Sequence, residues 1–242
     1  METPSDSGAG AASSRQAPMI VRHAIREQEI LWADFLAMSR SVVDSLAKGV
    51  EAICEGRIDV IPEVKQAEQE SDREEVRIEQ ECLRILALYE PVASDLRRLA
   101  TMLKVSRDWE RVADLAARIA RRARKLARKS DGVAVPDDLK ARAREVLVQV
   151  RSSYDALAAR DARRARTLIE SGRAIDGRFR TLRKSLKREL GQDPGRLRAW
   201  LQLLGTARNL ERASDHATDI AQTIIYLEEG IIVRHQIESS AP

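Results

Sequence analysis

Apolar residues recur every three to four positions along most of the chain, and no segment alternates with a period of two. Residues that start and stop helices, such as Pro62, Pro91 and Gly230, divide this pattern into six segments. The sequence therefore predicts an all-α protein of six helices. Their expected bounds are 19–55, 59–89, 91–129, 136–159, 161–190 and 193–229, with Asp59 and the pair Asp193-Pro194 as helix-start signals.

The third and sixth predicted helices are similar in sequence. Aligning residues 95–120 with residues 196–221, a shift of 101 without gaps, gives ten identical positions. This similarity indicates an internal duplication and predicts two tandem three-helix bundles. The expected organisation is a disordered N-terminal tail at 1–18, a first bundle at 19–130, a linker at 131–136, a second bundle at 137–236 and a C-terminal tail at 237–242.

Composition fits a helical bundle and points to the cytoplasm. Aromatic residues make up 3% of the chain, so the core must consist mainly of Leu, Ile, Val and Ala. No apolar run approaches the ~18 residues that a membrane-spanning helix needs. The N-terminal stretch lacks the pattern of a secretion signal, and two cysteines give no disulfide framework. We therefore expect a cytoplasmic protein with no transmembrane segment.

The net charge of +4 does not by itself indicate a nucleic-acid partner. Basic residues are densest at 121–129 and 160–188, but 38 acidic residues are interleaved along the chain. Neither basic stretch carries interleaved aromatic residues that could stack on bases. We expect solvated helix surfaces and no nucleic acid, while an acidic protein surface or anionic lipid remains an open alternative for these stretches.

Acidic residues interrupt the apolar face of the duplicated helix. On a helical wheel, Glu110 and Asp114 lie on the same side as Leu96, Leu99 and Leu103. The equivalent acidic pair in the sixth helix is Glu211 and Asp215. On the second helix, an acidic stripe shares one side with apolar residues: Glu68, Asp72 and Glu79 with Ile61, Val76, Leu83 and Leu86.

Burying an unpaired carboxylate costs several kcal/mol, so these positions need compensation. One candidate is a hard or borderline metal ion held by carboxylates from facing helices. A second is a set of buried ion pairs with arginines such as Arg97, Arg107 and Arg111. The third is that the carboxylates lie at wet ends of the bundle. The spacing alone leaves all three open.

Other function classes find little support in the sequence. A di-metal oxidase or ferritin-like storage protein, the main alternative, uses Glu-x-x-His pairs, and none occurs around His23, His216 or His235. We expect His216 on a helix surface or against a partner. No nucleotide-binding loop and no GxSxG nucleophile elbow is present. A purely structural bundle would leave the doubled acidic pairs unexplained.

Two segments carry a family resemblance. LALYEPVASDLR at 86–97, with Glu110-Arg111…Asp114 and Glu211-Arg212…Asp215-His216, resembles the signature helices of the PhoU family. The resemblance covers residues 19–235. It implies a non-enzymatic adaptor and negative regulator of phosphate signalling and uptake. Such an adaptor couples the ATPase subunit of a phosphate ABC transporter to a sensor histidine kinase, works as a homodimer, and lies in the cytoplasm or peripherally at the inner face of the membrane.

The resemblance also implies carboxylate-bound metal, namely Fe, Zn, Mn or Mg. By position, the implied metal ligands are Glu68, Asp72, Asp95, Glu110 and Asp114 in repeat one and Asp176, Glu211 and Asp215 in repeat two, with Arg97, Arg111 and Arg212 as signature arginines. Gly172 and Arg196 stand where Glu68 and Asp95 have their counterparts, and Arg118 and Asp219 stand where the family often has Asn. We therefore expect the five repeat-one carboxylates to converge in one patch and repeat two to hold a poorer ligand set.

Overall fold

The computed structural model describes residues 10–128, 133–192 and 194–233, the backbone alone for residues 10–21 and Pro194. Six α-helices account for most of these residues, and no described residue lies in a β-strand. The helices are α1 Gly10–Glu55, α2 Ile61–Tyr89, α3 Ala93–Arg128, α4 Asp137–Ala159, α5 Ala162–Gln192 and α6 Leu197–Glu229. Short 3-10 turns, Ile58–Val60 and Pro194–Arg196, precede α2 and α6.

The predicted bounds agree with the structure except near the N-terminus. Helix α1 begins at Gly10, so residues 10–18, expected to belong to a tail, are helical. Alanine recurs in this stretch, and it favours helix over coil. Residues 1–9, residues 129–132 at the end of the third predicted helix and in the expected linker, the helix-start candidate Asp193 and residues 234–242 lie outside the described chain.

Local signals explain where several helices begin and end. Glu90 and Arg160 adopt the left-handed conformation just after α2 and α4, with φ of 45° and 55°, and Gly230 does so after α6. Asp161 caps α5 by accepting the backbone N–H of Arg164 at 2.9 Å. The expected capping role of Asp59 is wrong, because its carboxylate pairs with Arg57 at 2.9 Å and α2 starts without a side-chain cap.

Helices α1, α2 and α3 pack on one another as one bundle, and α4, α5 and α6 form the second. The two bundles meet along α3 and α6, with α1 against α4 beside them. Helices α3 and α6 run antiparallel, because Arg97 near the start of α3 donates to the carbonyl of Leu227 near the end of α6 at 3.3 Å. One continuous hydrophobic core therefore links the two repeats.

Small residues allow the helices to approach closely around this core. A Cβ added to Gly49 of α1 would lie 3.1 Å from the carbonyl oxygen of Ala116 in α3. Trp109 is the largest fully buried side chain, surrounded by the Leu, Ile, Val and Ala residues that the composition predicts. Among the described helices, none is long and apolar enough to span a bilayer.

The buried face of α2 differs from the predicted stripe. Val76 and Leu83, expected in the apolar seam, are 49% and 54% exposed, and Leu96 of α3 is also exposed. The residues that α2 buries follow a heptad-like spacing of three and four: Ile61, Val64, Ser71, Ile78, Cys82 and Ile85. Glu68 and Glu75 fill the two remaining places in this series, so the acidic residues that face the bundle are partly different from those expected.

Candidate functional site

Four carboxylates from facing helices form what we call the repeat-one cluster: Asp72 and Glu75 of α2, and Glu110 and Asp114 of α3. Partial burial raises the pKa of the Glu110 carboxyl above its ordinary value, the adjacent Arg111 opposes this rise, and the carboxylates of Asp114, Asp72 and Glu75 add to it. Like charges are thus concentrated at one place between α2 and α3.

Within the part of the chain that the structure describes, two half-exposed arginines pair with carboxylates of the repeat-one cluster. Arg111 Nε lies 3.2 Å from Glu110 Oε2, and Arg118 donates to Asp114 at 2.9 Å. Both arginine side chains are about half exposed, at 53% and 48%. Exposed ion pairs of this kind contribute about 0–1 kcal/mol to stability, and neither arginine pairs with Asp72 or Glu75 of α2.

Two of the expected repeat-one ligands lie apart from this cluster. Glu68 is one turn away on α2 and pairs with Arg121 of α3 at 3.4 Å. Asp95 is exposed in the first turn of α3, fifteen residues before Glu110, and a straight helix rises about 22 Å over that length. The structure therefore places Asp72, an exposed residue, within electrostatic range of Glu110, which shares α3 with Asp114, and it does not bring Asp95 to them.

Sequence reasoning missed Glu75, and a signal for it was present. The side chain is partly buried and occupies a seam position seven residues after Glu68. Continuing the spacing of three and four from Ile61 through Val64 to Ile85 would have placed Glu75 on the buried face of α2.

The carboxylates of repeat two have different neighbours. Arg183 of α5 forms an ion pair with Glu211 of α6, although the basic run that contains Arg183 was expected to be solvated, which is wrong for this residue. Burial raises the pKa of Asp215, and the neighbouring carboxylate of Asp176 raises it further. Asp176 also has a raised pKa because of burial, against the influence of Arg180 and Arg183.

The structure explains why Gly172 occupies the place of Glu68. Gly172 of α5 lies against α6, and an added Cβ would be 2.6 Å from Thr218 Oγ1 and 3.3 Å from Gln149 Nε2. A glutamate would therefore displace atoms of two neighbouring helices. The shift that pairs Glu68 with Gly172 and Asp72 with Asp176 pairs Glu75 with Phe179, which is fully buried. Repeat two thus has an aromatic core residue where repeat one has a carboxylate.

A third group lies between the two repeats. His216 Nδ1 of α6 is 3.0 Å from Asp108 Oδ1 of α3, and ligand atoms of these residues and Asp219 lie within 4.8 Å of one another. The His216 side chain is 18% exposed and paired, so the expected surface position is wrong. The two partners are 108 residues apart, so only the antiparallel packing of α3 and α6 brings them together.

The signature arginines have separate structural roles. Arg97 donates to the Leu227 carbonyl and so ties the start of α3 to the end of α6. Arg111 pairs with Glu110 in the repeat-one cluster. Arg212 lies near Asp215 and lines a basic cleft formed by α3, α5 and α6.

The donor chemistry of the repeat-one cluster suits a metal ion, although in the described chain only Asp108, His216 and Asp219 bring three candidate ligand atoms within 4.8 Å of one another. Four carboxylates from two helices offer the oxygen ligands that hard cations such as Mg²⁺, Mn²⁺ and Fe³⁺ prefer. Burial and, to a smaller extent, the neighbouring carboxylates raise the pKa of Glu110, and a bound cation would offset both effects. Repeat two fits less well, because Glu211 is already paired with Arg183.

The chain is similar to known proteins over most of its length. The PhoU domain matches twice, at residues 35–123 and 140–224. A Pseudomonas putida protein named phosphate-specific transport system accessory protein PhoU homolog is 32% identical over 209 residues, covering 86% of this chain and 82% of that protein. A homologue of the same name from Aquifex aeolicus is 31% identical over 211 residues, covering 87% and 95%.

Solved structures give the same result. The crystal structure of PhoU from Pseudomonas aeruginosa superposes with a TM-score of 0.82 at 30% sequence identity and covers 85% of this chain and 99% of that one. The phosphate transport system regulatory protein PhoU from Streptococcus pneumoniae superposes with a TM-score of 0.78 at 25% identity, covering 87% and 99%.

Proposed function

The chain belongs to the PhoU family, and from that premise we propose that it is a non-catalytic accessory regulator of phosphate transport. The observation that carries the proposal is the paired match of the PhoU domain, one copy on each three-helix bundle. Two relatives that align with more than four-fifths of this chain are named accessory proteins of a phosphate-specific transport system, which also supports the proposal. The motif Glu-Arg-x-x-Asp (ERxxD) supports the proposal as well. One copy lies on α3 at 110–114 and the other on α6 at 211–215, and these two helices join the bundles.

We further propose that the protein acts as an adaptor between the ATPase subunit of a phosphate ABC transporter and a sensor histidine kinase. In phosphate-rich cells it would restrain the transporter and keep the kinase off. This role places the protein in the cytoplasm, at the inner face of the membrane when it is bound to its partners. It would act as a homodimer, and sedimentation analysis tests that part directly.

Metal binding at the repeat-one cluster is part of the proposal. Asp72, Glu75, Glu110 and Asp114 would hold an ion of Fe, Mn, Mg or Zn, which would supply positive charge between α2 and α3. The carboxylates themselves would link the two helices, because each helix contributes two of them. Without the ion, the burial and the neighbouring carboxylates that raise the pKa of Glu110 would remain without compensation, so metal would stabilise the packing of the first bundle.

Deleting the gene tests the regulatory role. We expect phosphate-starvation genes to be expressed even in phosphate-rich medium, because the restraint on the kinase would be lost. Reporter transcription, measured in rich and starved cells and in a strain complemented with the intact gene, checks this. Unchanged phosphate-responsive transcription in both media would rule out the adaptor role.

A further inference from the structure

A strongly basic cleft opens where α3, α5 and α6 meet. Its volume is about 770 Å³. Five cationic side chains line it, against Glu211 as the one carboxylate of the lining: Arg122 of α3, Arg183 and Lys187 of α5, and Arg208 and Arg212 of α6. The cleft therefore combines a cation from repeat one with four from repeat two.

Within the described residues, most of this positive charge has no acidic partner. Glu211 is engaged by Arg183. Arg122 donates to the amide oxygen of Gln202 at 3.2 Å, which is a neutral partner. Within the part of the chain that the structure describes, neither Lys187 nor Arg208 forms an ion pair. Burial and, to a smaller extent, the nearby Arg118 lower the pKa of Arg122.

A glycine makes room for the arginine that crosses from repeat one. The guanidinium of Arg122 occupies the space that a side chain at position 205 of α6 would need. The equivalent residue of α3 is Lys104, whose ammonium group lies 5.0 Å from the ring of Tyr226. The duplication has thus produced an arginine-lined cleft at one end of the α3–α6 contact and a lysine–tyrosine contact at the other.

We propose that this cleft binds a small anion through its phosphoryl groups and thereby clamps α3 of repeat one to α6 of repeat two. A planar guanidinium group can donate two parallel hydrogen bonds to a phosphoryl group. Three of the five cations that line the cleft come from the facing helices α3 and α6. Ligand sites in proteins typically measure about 300–1,000 Å³, so the cleft has room for more than a single phosphate. The shared chemistry is the phosphoryl oxyanion, whether free or part of a larger molecule.

Titration calorimetry at constant ionic strength tests the proposal, with orthophosphate, pyrophosphate and ATP as separate probes. The cleft variant combines Lys187→Gln with Arg208→Gln, because both side chains are exposed and unpaired. The control variant combines Lys184→Gln with Arg107→Gln, which removes the same charge from exposed positions outside the cleft. Thermal melting establishes that both variants fold.

We expect saturable binding of one anion per chain, weakened at least ten-fold in the cleft variant and less than two-fold in the control variant. Tightest binding of orthophosphate would identify the free ion as the ligand, and tighter binding of pyrophosphate or ATP would identify a larger phosphorylated molecule. The proposal is wrong if none of the three probes binds saturably to the unmutated protein. It is equally wrong if both variants weaken binding by the same factor, since that result indicates only a general effect of net charge.

Discussion

The two repeats carry the same ERxxD motif but surround it differently. In repeat one, Glu110 lies near Asp72 and Glu75 of α2, and burial together with these carboxylates raises its pKa. In repeat two, Glu211 pairs with Arg183 of the neighbouring helix, and Phe179 stands where Glu75 has its counterpart. The helix that bears the motif therefore does not decide the surroundings of its carboxylates alone. The helix packed against it determines whether the acidic residue lies among other carboxylates or pairs with arginine.

Replacing the matched residues Phe179 and Glu75 by alanine should give the largest contrast. Phe179→Ala removes a fully buried ring and should lower the free energy of unfolding by about 3–5 kcal/mol. Glu75→Ala should change it by less than about 0.5 kcal/mol in metal-free protein, because it removes a partly exposed, repelled carboxylate. Urea denaturation measures both. Similar losses for the two variants would contradict the different roles that we assign to these positions.

Two glycines of α5 provide a smaller contrast. Gly172→Ala should lower the free energy of unfolding by about 1–3 kcal/mol, because its Cβ would disturb a hydroxyl that already bonds to Ser214 and Gln149. Gly177→Ala should raise it by about 0.5–1 kcal/mol, because position 177 has open space and alanine favours helix. Thermal unfolding compares the two. If Gly172→Ala stabilises as much as Gly177→Ala, steric exclusion does not explain the missing ligand of repeat two.

The smallest contrast concerns Glu110 and Glu211 in metal-free protein. The folded state raises the pKa of Glu110, so it binds the proton more tightly than the unfolded state, and stability falls as pH rises from about 4.5 through the raised value. Glu110→Gln should therefore be more stable than the unmutated protein above this range and equal to it below. Glu211→Gln should instead lose up to about 1 kcal/mol near pH 7, because it breaks the pair with Arg183.

Unfolding curves recorded between pH 4 and pH 8 in the presence of a chelator measure these opposite signs. A Glu110→Gln variant that is less stable than the parent at pH 7 would show that arginine pairing already satisfies the cluster of repeat one.

Local signals made most of the fold predictable. The stops at Gly56, Tyr89 and Gly230 and the start at Asp161 depend on backbone conformation or caps, which neighbouring residues determine. The duplication was also visible, because ten identities survive in the two central helices. Sequence reasoning failed for the face of α2, where the acidic stripe that includes Glu79 suggested the wrong side of the helix.

Contacts between distant segments account for the rest of what was missed. Nothing near His216 in the sequence indicates Asp108, and nothing near Arg183 indicates Glu211. Likewise, Arg122 looks like part of a solvated helix end until α6 places Gly205 beside it. Such pairs depend on how the helices pack, which one sequence alone does not specify.

Metal content of matched double variants tests the central claim most directly. The proteins are purified without chelator from metal-replete cells, checked for helical content and assayed by elemental analysis. We predict stoichiometric metal in the unmutated protein, its loss from Glu110→Ala with Asp114→Ala, and retention of most of it by Glu211→Ala with Asp215→Ala. Absence of stoichiometric metal from the unmutated protein, or equal loss from both double variants, would contradict the account that repeat one alone kept a metal-binding set of carboxylates.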